Sequence, residues 1–165
     1  MGDLILYGRT GVCRVVAIGA DSADRQCYTL QPLYQKCSIK TPVDNGKVFM
    51  RPIISKEEAE QVIEAIPTIK PCAYHNRNLT QLKEHYREWL DRHDCLELVA
   101  MTMSLYEKRR EAEEQKCKFG AVDERFMREA EELLFGELAA ALGCEKSAVV
   151  GYISSRMAAM QSAAG

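Results

Sequence analysis

Three histidines, seven cysteines and several short runs of lysine and arginine are the side chains of this sequence whose types could do chemistry. His75, His85 and His93 have no spacing with a carboxylate or a cysteine that matches a metal-ligand pattern, so each reads as a solvated or capping side chain. Cys13, Cys27, Cys37, Cys72, Cys95, Cys117 and Cys144 are scattered, odd in number and contain no Cys-x-x-Cys pair. They read as reduced thiols, most of them small buried hydrophobes. Cys72 differs in lying in a polar, proline-containing stretch where a redox-responsive thiol would be accessible. With no glycine-rich phosphate loop, nucleophile elbow or paired-histidine helix, the expectation is a protein that is not an enzyme and holds no metal or other cofactor.

The cations carry more information. The 165 residues include 22 lysines and arginines against 24 acids, a net charge of −2, which lacks the strong basic signal of a chain held to nucleic acid by charge alone. The balance is uneven along the sequence. Through Pro52 there are seven basic residues (Arg9, Arg14, Arg25, Lys36, Lys40, Lys47, Arg51) and four acids (Asp3, Asp21, Asp24, Asp44), a net of +3 that leaves −5 for the remainder. Within that acidic remainder lie Lys108-Arg109-Arg110, then Lys116 and Lys118, then Arg125 and Arg128. Such clusters suit contact with phosphates, and cations near a helix C-terminus equally suit the negative end of its dipole. Elsewhere on the helices, Glu84, Glu88, Lys83 and Arg87 alternate as on a solvated face. Trp89, the single tryptophan, stands three residues after Tyr86 on an apolar helical stripe and reads as core.

The elements that would position these groups change character near residue 54. Before it, short apolar runs alternate with turn residues: Leu4 to Tyr7, Val12 to Ile18, Cys27 to Leu30, Ser38 to Thr41 and Val48 to Met50, with a turn expected on Asp44-Asn45-Gly46. Four or five strands in about fifty residues bury little as a flat sheet, and a bent barrel of the SH3 or Tudor kind is the economical solution. After Ile54 the periodicity becomes helical. Ser55-Lys56-Glu57-Glu58 is a capping box followed by the stripe Ala59, Val62, Ile63, Ile66, and Pro67 stops that helix. Residues 67–78 read as an elbow.

A second helix follows near Asn78 or Thr80 with Leu79, Leu82, Tyr86, Trp89 and Leu90 on one face. A third starts at Asp94 with Glu97 in capping position and the row Leu96, Val99, Met103, Tyr106, and Phe119-Gly120 breaks it. A fourth opens at Asp123, buries Phe126, Met127, Ala130, Leu133, Leu134, Leu138 and Ala141, and stops at Gly143. A short last helix spans about Glu145 to Met160, with residues 158–165 frayed. The expected fold is therefore α+β, a small Tudor/SH3-like β-barrel over residues 1–54 followed by an all-α unit over 55–165. The first residues have no basic n-region, and no stretch approaches the roughly twenty apolar residues of a membrane span, so a soluble, cytoplasmic monomer is expected.

Particular runs of residues add a family resemblance. Gly2-Asp3-Leu4-Ile5-Leu6-Tyr7 with Gly11-Val12, then Thr41-Pro42-Val43-Asp44, then Arg51-Pro52-Ile53-Ile54-Ser55-Lys56-Glu57-Glu58-Ala59, then Asp123-Glu124-Arg125 through Gly143 follow the order of motifs in the CarD-type bacterial transcription regulators. The resemblance implies an N-terminal Tudor-like domain that binds the RNA polymerase β subunit. It also implies a helical domain that contacts promoter DNA at the upstream edge of the transcription bubble without strong sequence specificity, modulating open-complex stability.

Lys40 falls where that family carries a basic polymerase-contacting residue, Arg25 stands in the loop of a second one, and Arg9 joins them as a candidate polymerase contact. Candidate DNA contacts are Leu79, Lys83, Lys108, Arg109, Arg110, Lys116, Lys118, Arg125 and Arg128. Two departures stand out. Gly8 and Thr10 replace the family's Pro and His, and counting back fifteen residues from Asp94 to the place of its minor-groove tryptophan lands on Leu79. A leucine there is either a wedge, as apolar side chains can be at flexible steps, or plain core. Two readings follow: a regulator that touches both polymerase and promoter DNA, or an adaptor that docks on polymerase without productive DNA contact.

Overall fold

The computed structural model describes residues 1–44 and 46–164. Five antiparallel strands, β1 (Leu4–Tyr7), β2 (Gly11–Ala20), β3 (Gln26–Pro32), β4 (Ile39–Pro42) and β5 (Met50–Pro52), form one sheet in the order β4-β3-β2-β1-β5. The β1–β2 link is a turn of 3-10 helix over Gly8–Thr10, flanked by two positive-φ glycines. Gly8 sits at φ 47° with the Val48 side chain 2.9 Å from where a Cβ would stand, so any larger residue there would be strained on both counts. A register shift between Val15 and Ala17 bends β2, and its outer half is solvent-exposed while Val12, Cys13 and Val15 are buried. The expected turn at Asp44-Asn45-Gly46 centres on Asn45, which lies outside the described residues. The last strand starts at Met50 rather than Val48, because Phe49 turns its side chain onto His93, with the rings stacked at 4.3 Å.

Five helices follow: α1 (Lys56–Ala65), α2 (Leu79–Leu90), α3 (Cys95–Glu114), α4 (Ala121–Leu142) and α5 (Val149–Ala164). Their starts are those that cap chemistry dictates. Ser55 and Glu58 form the reciprocal capping box, Asn78 accepts from the amides of Thr80 and Gln81, and Asp94 accepts from that of Glu97. Gly143, at φ 73°, ends α4 in the left-handed conformation. Among the described residues no helix is long and apolar enough to cross a membrane.

Three expectations fail for identifiable reasons. Helix α4 opens at Ala121 with Gly120 as its N-cap, and Asp123 is a buried residue of its first turn. The α3 row Leu96, Val99, Met103, Tyr106 is incomplete, since α3 packs against both α2 and α4 and buries Leu98, Val99, Met101, Thr102 and Leu105 on more than one side while Leu96 is exposed. Helix α5 continues through Ala164 instead of ending near Met160, with Tyr152 and Arg156 bonded to Glu60 of α1.

The helical core is centred on Tyr86, Met101, Leu105, Phe126 and Leu138, with Val149 closing one end. Inside it the buried Asp123 carboxylate accepts from Tyr86 Oη at 2.5 Å and from Lys108 Nζ at 2.9 Å. Burial, reinforced by the bond to Asp123, pushes the Tyr86 hydroxyl well above its ordinary pKa. Tyr86→Phe is expected to destabilise the chain by about 1–2 kcal/mol, read in urea unfolding as a lower midpoint at unchanged slope.

Candidate functional site

Strand β4 ends the sheet on one side and β5 on the other. The β5 side is engaged with the helices, through Arg51 and the Phe49–His93 stack. The β4 side therefore presents the sheet margin at which a partner strand would add, and Lys40 is exposed on it. Arg25 does not join it as a free cation. Its backbone amide and its guanidinium both donate to Asp21, and these bonds hold that carboxylate down to about 2. Arg9 lies in the β1–β2 turn, where its guanidinium donates to Asp91 at 3.0 Å, so it bridges sheet and helices away from β4.

The cations of the helical unit divide into two sets. In the first, carboxylates hold the charge. Lys108 is bonded to buried Asp123, Arg110 to Glu107 and Glu114, Arg125 to Glu129 and Arg128 to Glu124. Arg109 stacks over the Tyr106 ring at 5.3 Å. The second set, whose side chains have no hydrogen-bond or ion-pair partner among the described residues, includes Lys83, Lys116 and Lys118 together with Lys56, Lys70 and Arg87. Arg77 belongs with them, although sequence reasoning missed it because it stands in the elbow rather than in a cationic run. The signal available was spacing. Arg110, Arg125 and Arg128 have a glutamate three or four residues away on the same helix, whereas Arg77, Lys116 and Lys118 lie outside helices.

Three of the unpartnered cations lie in segments flanking α2 and α3: Arg77 just before α2, and Lys116 and Lys118 just after α3. The elbow runs along α3, with Cys72 N donating to Ser104 Oγ and His75 Nε2 lying 3.0 Å from Glu111 Oε2. It thereby carries Arg77 towards the end of α3 that is followed by Lys116 and Lys118, and His75 and Lys118 border one cleft. Leu79 opens α2. It belongs to the core-facing side of α2 with Leu82 and Tyr86, but in the first turn nothing covers it and it is 57% exposed. Leu79 is thus not core, and Lys83 follows it by one helical turn.

His85 corrects another expectation. It is not solvated but half-buried, stacked on Tyr74 at 3.8 Å and edge-on to Trp89, with Nε2 lacking a partner among the described residues. Burial pulls its pKa below the ordinary histidine value, against the opposing pull of Glu88 and with support from Arg92 and Lys108. The fold thus prefers neutral His85, and the stability this contributes is present above the unfolded-state pKa and is lost as pH falls through the lower folded value. His93 shifts in the same direction, again chiefly through burial. Between pH 7.5 and 5, stability is expected to fall less in His85→Phe than in wild type, with equal falls counting against the assignment. Trp89 packs on the helical core as expected, its Nε1 donating to Glu97 at 2.9 Å. Cys72 is exposed. Among the described residues no group of three or more His, Cys, Asp or Glu side chains is placed to hold a metal ion.

A small Tudor-like sheet with β4 at one margin, joined to a helical unit, defines an α+β chain. Residues 1–54 match the family model described as the CarD-like/TRCF RID domain. The match supports an RNA polymerase interaction for this N-terminal stretch, as found in transcription-associated proteins. No curated protein matches the chain.

Proposed function

We propose that the chain binds the RNA polymerase β subunit through the β4 margin and Lys40, and that it contacts promoter DNA through Leu79 and the cations around it, modulating open-complex stability. The role is one of binding rather than catalysis, performed by a single chain. The polymerase half rests on the family match over residues 1–54. The DNA half rests on one observation: Leu79 is exposed at the start of α2 between Arg77 and Lys83, and these two cations, like Lys116 and Lys118 after α3, have no carboxylate partner among the described residues. Cations near a duplex contact phosphates without reading sequence, and an apolar side chain can enter a flexible step.

A second reading, an adaptor that docks without productive DNA contact, is favoured by the ion pairs that hold Lys108, Arg110, Arg125 and Arg128. Salt dependence separates the two. If two to four phosphates are neutralised, log affinity for a promoter fragment should fall against log salt with a slope of roughly −2 to −4. Lys116→Ala and Lys118→Ala should each reduce that slope by about 0.9, while Arg125→Ala should leave it nearly unchanged. Absence of promoter binding even at low salt would select the adaptor.

A further inference from the structure

The sheet and the helices are not joined by a free linker. Glu137 of α4, fully buried, receives both terminal nitrogens of Arg51 at 2.6 and 2.8 Å and the backbone amide of Ile54 at 3.1 Å. Arg51 also donates through Nε to the His93 carbonyl at 3.1 Å, so one guanidinium ties β5 both to α4 and to the turn before α3. Next to Glu137, the Tyr34 ring closes on α4 at Gly136, where a Cβ would stand 3.0 Å from the ring, and Tyr34 Oη donates to the Gly136 carbonyl at 2.9 Å. Lys146 Nζ lies over that ring, 4.8 Å from its centroid. Arg9 to Asp91 and Phe49 on His93 complete the junction.

From this we infer that Glu137, Arg51, Tyr34 and Gly136 are positioning residues, which hold the β4 margin and the Leu79 end at one fixed angle so that docking on polymerase determines where the helical unit meets DNA. The inference rests on the function proposed above. Contacts of this kind go beyond what folding of either part requires. The sheet has its own core around Tyr7, Cys13, Val15 and Leu30, separate from the helical core, yet a buried carboxylate and a glycine in the middle of α4 are both given over to the junction. A glycine inside a helix is destabilising by itself, and here the close approach of Tyr34 accounts for it.

The test uses the full chain with Tyr34→Ala, which removes a half-exposed ring and leaves the buried pair intact, and with Glu137→Gln. Tyr34→Phe is the conservative control that keeps the ring on Gly136. Residual dipolar couplings measured on the free protein give the relative orientation of the two parts, polymerase capture reports docking, and open-complex lifetime reports the effect at DNA. One common alignment in wild type and Tyr34→Phe is expected, with two independent alignments in Tyr34→Ala and in folded Glu137→Gln. Those two variants should keep capture within about twofold of wild type and lose most of the lifetime effect. A common alignment that survives in both variants overturns the inference, as does an unchanged lifetime effect when the alignments have separated. A wild-type chain that neither captures polymerase nor alters lifetime would instead refute the proposed function, an outcome the couplings do not affect.

Discussion

Glu137→Ala is expected to lower the unfolding free energy by about 3–5 kcal/mol, as much as truncating a large core side chain. Removing one partner of a buried pair costs more than the pair contributes, because the remaining charge stays in place without compensation. Here the orphan would be Arg51, whose side chain is only 22% exposed and whose charged form is held chiefly by its bonds to Glu137. The Ile54 amide would lose its acceptor too, and a cavity the size of the side chain would open in α4 beneath the sheet. At about 2–4 °C per kcal/mol for a chain of this size, the thermal midpoint should fall by roughly 6–20 °C. Arg51→Met, which replaces the buried charge with an apolar side chain, should cost less than Glu137→Ala only if Glu137 can reach solvent or protonate. The pair of midpoints therefore shows which partner is the more costly to strand. A shift of less than about 2 °C for Glu137→Ala would mean that the pair is not formed in solution.

The second large effect is functional. Lys40→Glu should weaken capture of β-subunit fragments at least tenfold while leaving the fold unchanged. Lys40 is exposed on an edge strand, so reversing its charge disturbs no core and no ion pair described above. At an interface where the partner is acidic, reversal turns an attraction into a like-charge contact, which costs about 1.4 kcal/mol or more and so at least a factor of ten. Arg25→Glu should do less, because the Arg25 guanidinium is already engaged by Asp21, and Arg9→Glu should act mainly on the junction with Asp91. Equal losses for Lys40→Glu and Arg9→Glu would place the docking surface at the β1–β2 turn instead of at β4.

Much of this architecture was legible in the residues, and what was not shares a physical cause. Local chemistry writes itself in short spacings: Ser55 with Glu58, Asp94 with Glu97 and Gly143 mark three helix ends where they occur. The strands Leu4–Tyr7 and Ile39–Pro42 fall within a residue of their apolar runs. Tertiary pairing leaves no such trace. Arg51 and Glu137 are 86 residues apart and Tyr34 and Gly136 are 102 apart, so neither contact has a sequence signature. For the same reason the partners of the cationic runs could not be read from the sequence. Lys108-Arg109-Arg110 looks like the strongest phosphate site by type and spacing, yet Asp123, Tyr106 and Glu107 take up its three cations in turn. Leu79 shows the converse, since its helical phase reads as core and only its place in the first turn of α2 leaves it exposed.

The most direct test of the proposed function is the lifetime of the open complex on one promoter, measured with wild-type chain, Lys40→Glu and Leu79→Asp at saturating polymerase. A lifetime changed by wild type, unchanged by Lys40→Glu because docking is lost, and largely unchanged by Leu79→Asp although its capture of the β subunit is intact, is the predicted result. A wild-type effect that persists in full with Leu79→Asp would contradict the assignment of DNA contact to the exposed start of α2.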